Sequence, residues 1–128
     1  MTRHILIIED DPSIAQTIKL GIELIEGLTI SLETIGDGQI GLERVQAQPA
    51  PDMIVLDMHL PRVNGQVIYE TARQKIPACN ILIVTADTAL IEAITHKLGM
   101  WGEYTHPDAV FTKPFSLLAL QSRIAELL

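Results

Sequence analysis

Cysteine is almost missing from this chain. Cys79 is the only one in 128 residues, so no internal disulfide can form and a reducing, cytoplasmic setting is expected. Cys79 lies between Ala78 and a strand-like run and reads as a small buried hydrophobe. Cations are short as well: 9 Lys and Arg stand against 16 Asp and Glu, for a net charge of −7. Phosphate contacts need clustered Lys and Arg, so no nucleic acid is expected to bind this domain itself. Long hydrophobic runs are lacking. Stretches such as Ile5 to Ile8 are far too short to cross a membrane. The N-terminus shows no secretory pattern, because Arg3 is followed by a short apolar run and then by Glu9, Asp10 and Asp11. No repeat or low-complexity stretch appears. His4, His96 and His106 have no metal-ligand spacing with one another or with Cys79.

What is present is ordinary globular composition, 48% hydrophobic and 20% charged, in a length that fits a single domain over 1–128. Ile5-Leu6-Ile7-Ile8, Met53-Ile54-Val55-Leu56 and Ile81-Leu82-Ile83-Val84 are short, continuous and β-rich. They read as interior strands covered on both faces. Thr29 to Ile35 alternates instead, as an edge strand with one wetter face would, and Ala109 to Thr112 is a short fifth candidate. Helical patterns fill the gaps. The first has Asp11 as cap and Pro12 in its first turn, with Ile14, Ile18, Ile22 and Ile25 along one side. Gly38 to Gln48, Gly65 to Lys75, Asp87 to Leu98 and Ser116 to Leu128 follow, the last with Leu117, Leu120, Ile124 and Leu127 as its buried stripe. Five successive βα units imply an α/β fold, a parallel sheet with helices on both faces and a ligand site at the carboxyl ends of its strands.

The chemistry-bearing residues sit at those ends. Glu9-Asp10-Asp11 follows the first strand, Asp57 ends the third, Thr85 the fourth and Lys113 the fifth. In a parallel sheet they converge. Two like charges 4 Å apart repel by about 4 kcal/mol at an effective dielectric near 20. Lys113 can neutralise only one carboxylate, so the pocket calls for a hard divalent cation. Mg²⁺ suits best, since it takes one or two carboxylates and shares phosphate oxygens. The lysine and threonine then have a use in holding phosphoryl oxygens.

ILIIEDD, VLDMHLPRVNG, IVTAD and FTKPF, in that order, resemble the receiver domain of bacterial two-component response regulators, of the chemotaxis-Y-like kind. The resemblance covers essentially the whole chain. It implies a flavodoxin-like, doubly wound sheet of five parallel strands in the order 2-1-3-4-5. It implies a phosphorylation-dependent switch, not an enzyme, with Asp57 accepting a phosphoryl group from the phosphohistidine of a sensor histidine kinase or phosphotransfer protein. Asp10 would ligate Mg²⁺ directly, Glu9 would assist through water, Asp57 would share the ion, and the His59 backbone carbonyl would be a further contact. Lys113 would pair with the phosphoryl group, the Thr85 hydroxyl would swing toward it, and the Lys113–Pro114 bond would be cis. The output would pass through the surface around the fourth helix and fifth strand, to an effector domain or a downstream protein.

The chain also departs from that family. Val110 occupies the place of a usual aromatic switch residue, with Phe111 pointing to the other side of its strand. The stretch from Gly99 to Pro107, holding Trp101 and Tyr104, is longer than usual and reads first as packing. His59 and Asp87, two residues after Asp57 and Thr85, stand where the family tunes dephosphorylation. Gly36-Asp37-Gly38-Gln39-Ile40-Gly41 matches a dinucleotide fingerprint, but it follows the second strand, and turn glycines explain it better. Two other readings are a pseudo-receiver scaffold and a Mg²⁺-dependent aspartyl-phosphate hydrolase. The hydrolase would need an acid where His59 stands.

Overall fold

A computed structural model of the protein describes residues 1–102 and 106–128. The interior apolar runs form strands β1 (Thr2–Ile8), β3 (Met53–Asp57) and β4 (Asn80–Thr85), flanked by β2 (Thr29–Ile35) and β5 (Ala109–Thr112). All pairings are parallel, in the order β2-β1-β3-β4-β5. The fold is thus the doubly wound, flavodoxin-like one expected. The alternating strand is at the edge, and the continuous runs are interior.

Strand alternation divides the core. Leu6, Ile8, Ile54, Leu56, Ile81 and Ile83 face one side; Ile5, Ile7, Met53, Val55, Leu82 and Val84 face the other. Helices α2 (Gly38–Val45), α3 (Gly65–Lys75) and α4 (Thr88–Thr95) cover the first face through Val45, Ile68, Tyr69, Ala72 and Ile94. Helices α1 (Pro12–Glu23) and α5 (Leu117–Leu127) cover the second through Ile18, Ile22, Leu120 and Ile124. Burying one such aliphatic side chain fully stabilises by about 1.5–3 kcal/mol. Val110 packs toward the first face and Phe111 toward the second, as strand periodicity requires.

Each α-helix α1–α5 has its side-chain cap: Asp11, Asp37, Asn64, Asp87 and Ser116 each accept a backbone N–H of the first turn. Two helices end earlier than the pattern predicts. α2 stops at Val45, where the N–H groups of Gln46 and Ala47 turn back to Glu43 and Arg44. α4 stops at Thr95, because Lys97 takes a left-handed conformation (φ 55°) and Gly99–Trp101 then forms a short 3-10 turn.

That turn delivers Trp101 into the core. It is buried, with its ring 4.9 Å from that of Tyr69 on α3 and tilted by 46°. Below it Arg73 donates to Tyr69 Oη, Cys79 O, His106 O and Asp108 Oδ2. Asp108 Oδ2 also accepts the Ile81 N–H at 2.7 Å. Trp101 is therefore a packing residue, and the expectation for Tyr104 lies outside the described residues. Cys79 is buried, and burial pushes its thiol up to about 12. Among the described residues no helix is long and apolar enough to cross a membrane.

Candidate functional site at the carboxyl edge of the sheet

Parallel register sets the site. Ile8 lies beside Leu56, Asp57 beside Val84, and Thr85 beside Thr112. The residues that follow or end these strands therefore reach one edge together. Glu9, Asp57 and Thr85 are buried there, while Asp10 is exposed at the rim. One carboxylate oxygen from each of Glu9, Asp10 and Asp57 lies within 4.8 Å of the others. Lys113 Nζ sits 2.5 Å from Glu9 Oε1 and 3.5 Å from Asp57 Oδ2. Lys113 is itself placed by its backbone N–H, which donates to Thr85 O at 2.8 Å. The Lys113–Pro114 bond is cis, as is Gln48–Pro49.

The carboxylates strain this arrangement electrostatically. Burial, with the Asp57 carboxylate alongside, pushes Glu9 up to about 7 despite the opposing pull of Lys113. Burial works against the Lys113 ammonium too, but Glu9 and Asp57 outweigh it and raise its pKa. The Lys113 ammonium is the partner of the buried Glu9 Oε1. The other Glu9 oxygen accepts the Asp11 N–H at 3.2 Å. Asp11 itself caps α1 and does not join the cluster.

Two loops frame the mouth. Asp57 Oδ1 accepts the His59 N–H at 3.2 Å, and Thr85 Oγ1 accepts the Asp87 N–H at 3.1 Å. The side chains of those two donors then meet, His59 Nε2 lying 3.1 Å from Asp87 Oδ2. The Leu90 N–H, and then His59, hold the Asp87 carboxyl below its ordinary value. This cross-loop pair was not apparent in the sequence, although both residues were. Also unforeseen was a bidentate pair between Arg62, in the loop after β3, and Asp37, the cap of α2. Only the capping role of Asp37 had a local signal, an Asp directly ahead of a helical pattern.

Residues 5–125 match the family described as the response regulator receiver domain. Among curated proteins, the response regulator ArlR of Staphylococcus epidermidis is 32% identical over 98% of this chain and 52% of its own length. The probable transcriptional regulatory protein TcrX of Mycobacterium tuberculosis is 30% identical over 97% of this chain and 49% of its own. The chain thus spans about half the length of these relatives. Among solved structures, the CheY-like receiver domain protein of Methanospirillum hungatei superposes with a TM-score of 0.79 at 24% identity, covering 98% of this chain and 93% of that one.

Proposed function

Because the chain belongs to the response regulator receiver domain family, we propose that it operates as a phosphorylation-driven switch whose acceptor is Asp57. The observation that carries this reading is the pairing of Asp57, buried at the end of the central strand, with Lys113 and two further carboxylates at one edge. In the proposed reaction an Asp57 carboxylate oxygen attacks the phosphorus of a phosphohistidine. The P–O bond forms as the P–N bond breaks, and the imidazole leaves with a proton from solvent. Lys113 lies where it would balance charge on the phosphoryl oxygens, and Thr85 offers its hydroxyl on the opposite side of Asp57 from Glu9 in the strand order.

The site fits Mg²⁺ on two counts. Its donors are hard oxygens, and three carboxylates share the edge with the single Lys113 ammonium, an excess of negative charge that a divalent cation would balance. Asp10 and Asp57 would hold the ion directly with the His59 backbone carbonyl, and Glu9 would act through water. When bound, the ion would neutralise carboxylate and phosphoryl charge. The phosphoryl donor would be a histidine kinase or phosphotransfer protein. Residues 1–128 would act as one receiver unit, signalling through the α4–β5 surface to an effector domain or downstream protein.

Mass spectrometry tests the assignment. With Mg²⁺ and acetyl phosphate the protein should gain one phosphoryl group, and Asp57→Asn should gain none. Stoichiometric labelling of Asp57→Asn would overturn the acceptor. A wild-type protein that stays unlabelled would favour a receiver fold used only as a binding scaffold.

A further inference from the structure

The Gly36–Gly41 segment has no part in the reading above, yet it makes some of the tightest contacts near the site. Gly38 N–H donates to Pro61 O at 3.0 Å. A Cβ at Gly38 would stand 1.7 Å from Val63 O and 2.9 Å from Pro61 O, so only glycine lets the two backbones meet. Next to it, Asp37 takes both oxygens to Arg62: Nε to Oδ2 and Nη2 to Oδ1, each at 2.7 Å. Arg62, with the Ile40 N–H assisting, holds the Asp37 carboxyl down to about 2.

Arg62 sits at a φ of 68°, a left-handed conformation that is unfavourable for a residue with a long side chain. Such strain persists where surrounding contacts over-determine it. Here the compensating contact is the two-bond fork to Asp37, whose planar geometry a lysine cannot reproduce. The strained residue is three positions beyond His59, in the loop that begins at Asp57. That loop is fixed at its far end by Gly65, whose N–H donates to Met58 O at 2.8 Å. Between those ends, His59 is exposed.

We propose that the Asp37-Gly38 turn is a brace for the loop after Asp57, with Arg62 a positioning residue that holds the His59 carbonyl toward the metal through Asp37. This rests on the Mg²⁺ site proposed above. The brace links the second βα junction, at the sheet edge, to the third, at its centre. It gives Gly38, the middle glycine of the fingerprint-like run, a use that involves no nucleotide.

The test separates the brace from the site. Mg²⁺ binding to the full chain is titrated calorimetrically, and amide exchange over 58–63 is followed without Mg²⁺. Arg62→Asn tolerates the left-handed backbone but is too short to reach Asp37. Asp37→Asn keeps the helix cap while removing the charge. Both should raise the Mg²⁺ dissociation constant by about three- to tenfold, at or below the low end of effects from groups that orient metal ligands. Both should also speed exchange over 58–63, with exchange in β1 and β3 unchanged. Arg62→Lys should not restore affinity. Unchanged Mg²⁺ affinity in both variants, where Asp10→Asn loses it, would overturn the brace and leave the site standing. A wild-type protein or Asp10→Asn variant whose titration contradicts the site would remove both.

Discussion

At the scale of single residues, the cross-loop pair of His59 and Asp87 carries a functional consequence. Each residue is two positions beyond a group expected to touch the phosphoryl moiety, and each lends its backbone N–H to that group. Their side chains meet between the adjacent loops after β3 and β4, His59 Nε2 lying 3.1 Å from Asp87 Oδ2. Hydrolysis of an acyl phosphate needs water in line with the bond that breaks, and a bridged imidazole beside a phosphoryl group on Asp57 would restrict that approach. The imidazole is largely exposed, and exposed pairs contribute under about 1 kcal/mol. His59→Ala should therefore shorten the phosphoryl lifetime by about threefold, the rate equivalent of under 1 kcal/mol. Asp87→Asn, which preserves the cap of α4, should act in the same direction. Decay of the phosphorylated mass after removal of the donor measures both. A His59→Ala protein that decays no faster than wild type would refute the shielding.

At the scale of elements, the junction between β3 and α3 places Asp57, and glycine is what allows it. A Cβ at Gly65 would lie 2.4 Å from Asp57 O and 2.6 Å from Met58 Cα, both backbone atoms with little room to move. Gly65→Ala should push the helix start away from the strand end and destabilise the protein by about 1–3 kcal/mol, the range of overpacked interiors. A lowered urea midpoint at unchanged slope would register it. Because the displaced atoms belong to Asp57 and Met58, phosphorylation by acetyl phosphate should slow as well. Wild-type stability and rate in Gly65→Ala would mean that the junction relaxes freely. Of the caps, Asp11 was read from the sequence; Asp37, Asn64, Asp87 and Ser116 emerged as caps of the other four α-helices only in the structure. The early ends of α2 and α4 were not legible either, since periodicity continues past them and only backbone turns break it.

At the scale of the molecule, Trp101 joins parts that the chain order keeps apart. It follows α4, packs on Tyr69 of α3 and shares a core with Val110 of β5. Val110 brings no ring to fill space near Thr85, and a β-branched side chain has few rotamers to offer. Movement of Thr85 would then be passed on through this α3–α4–β5 core, whose large aromatic members are Trp101 and Tyr69. Trp101 fluorescence should change when Mg²⁺ and beryllofluoride are added together, and the change should vanish in Asp57→Asn. Amide exchange in the turn Gly99–Trp101 should shift in parallel. Flat signals with the mimic bound would show that this core is static and that output leaves by another face.

Much was determined by the sequence alone. Continuous apolar runs marked the interior strands and the alternating Thr29–Ile35 marked an edge, because the number of covered faces is written in side-chain periodicity. The convergence of Glu9, Asp10, Asp57, Thr85 and Lys113 on one edge followed once the strands were taken as parallel, since each group ends or follows a strand. Tertiary structure decided the rest. Asp37 and Arg62 are 25 residues apart, His59 and Asp87 28, and Arg73 and Asp108 35. No local pattern encodes such pairs. The first two exist because parallel βα units bring the loops after their strands to one edge of the sheet, and the third because α3 packs beside the segment that enters β5.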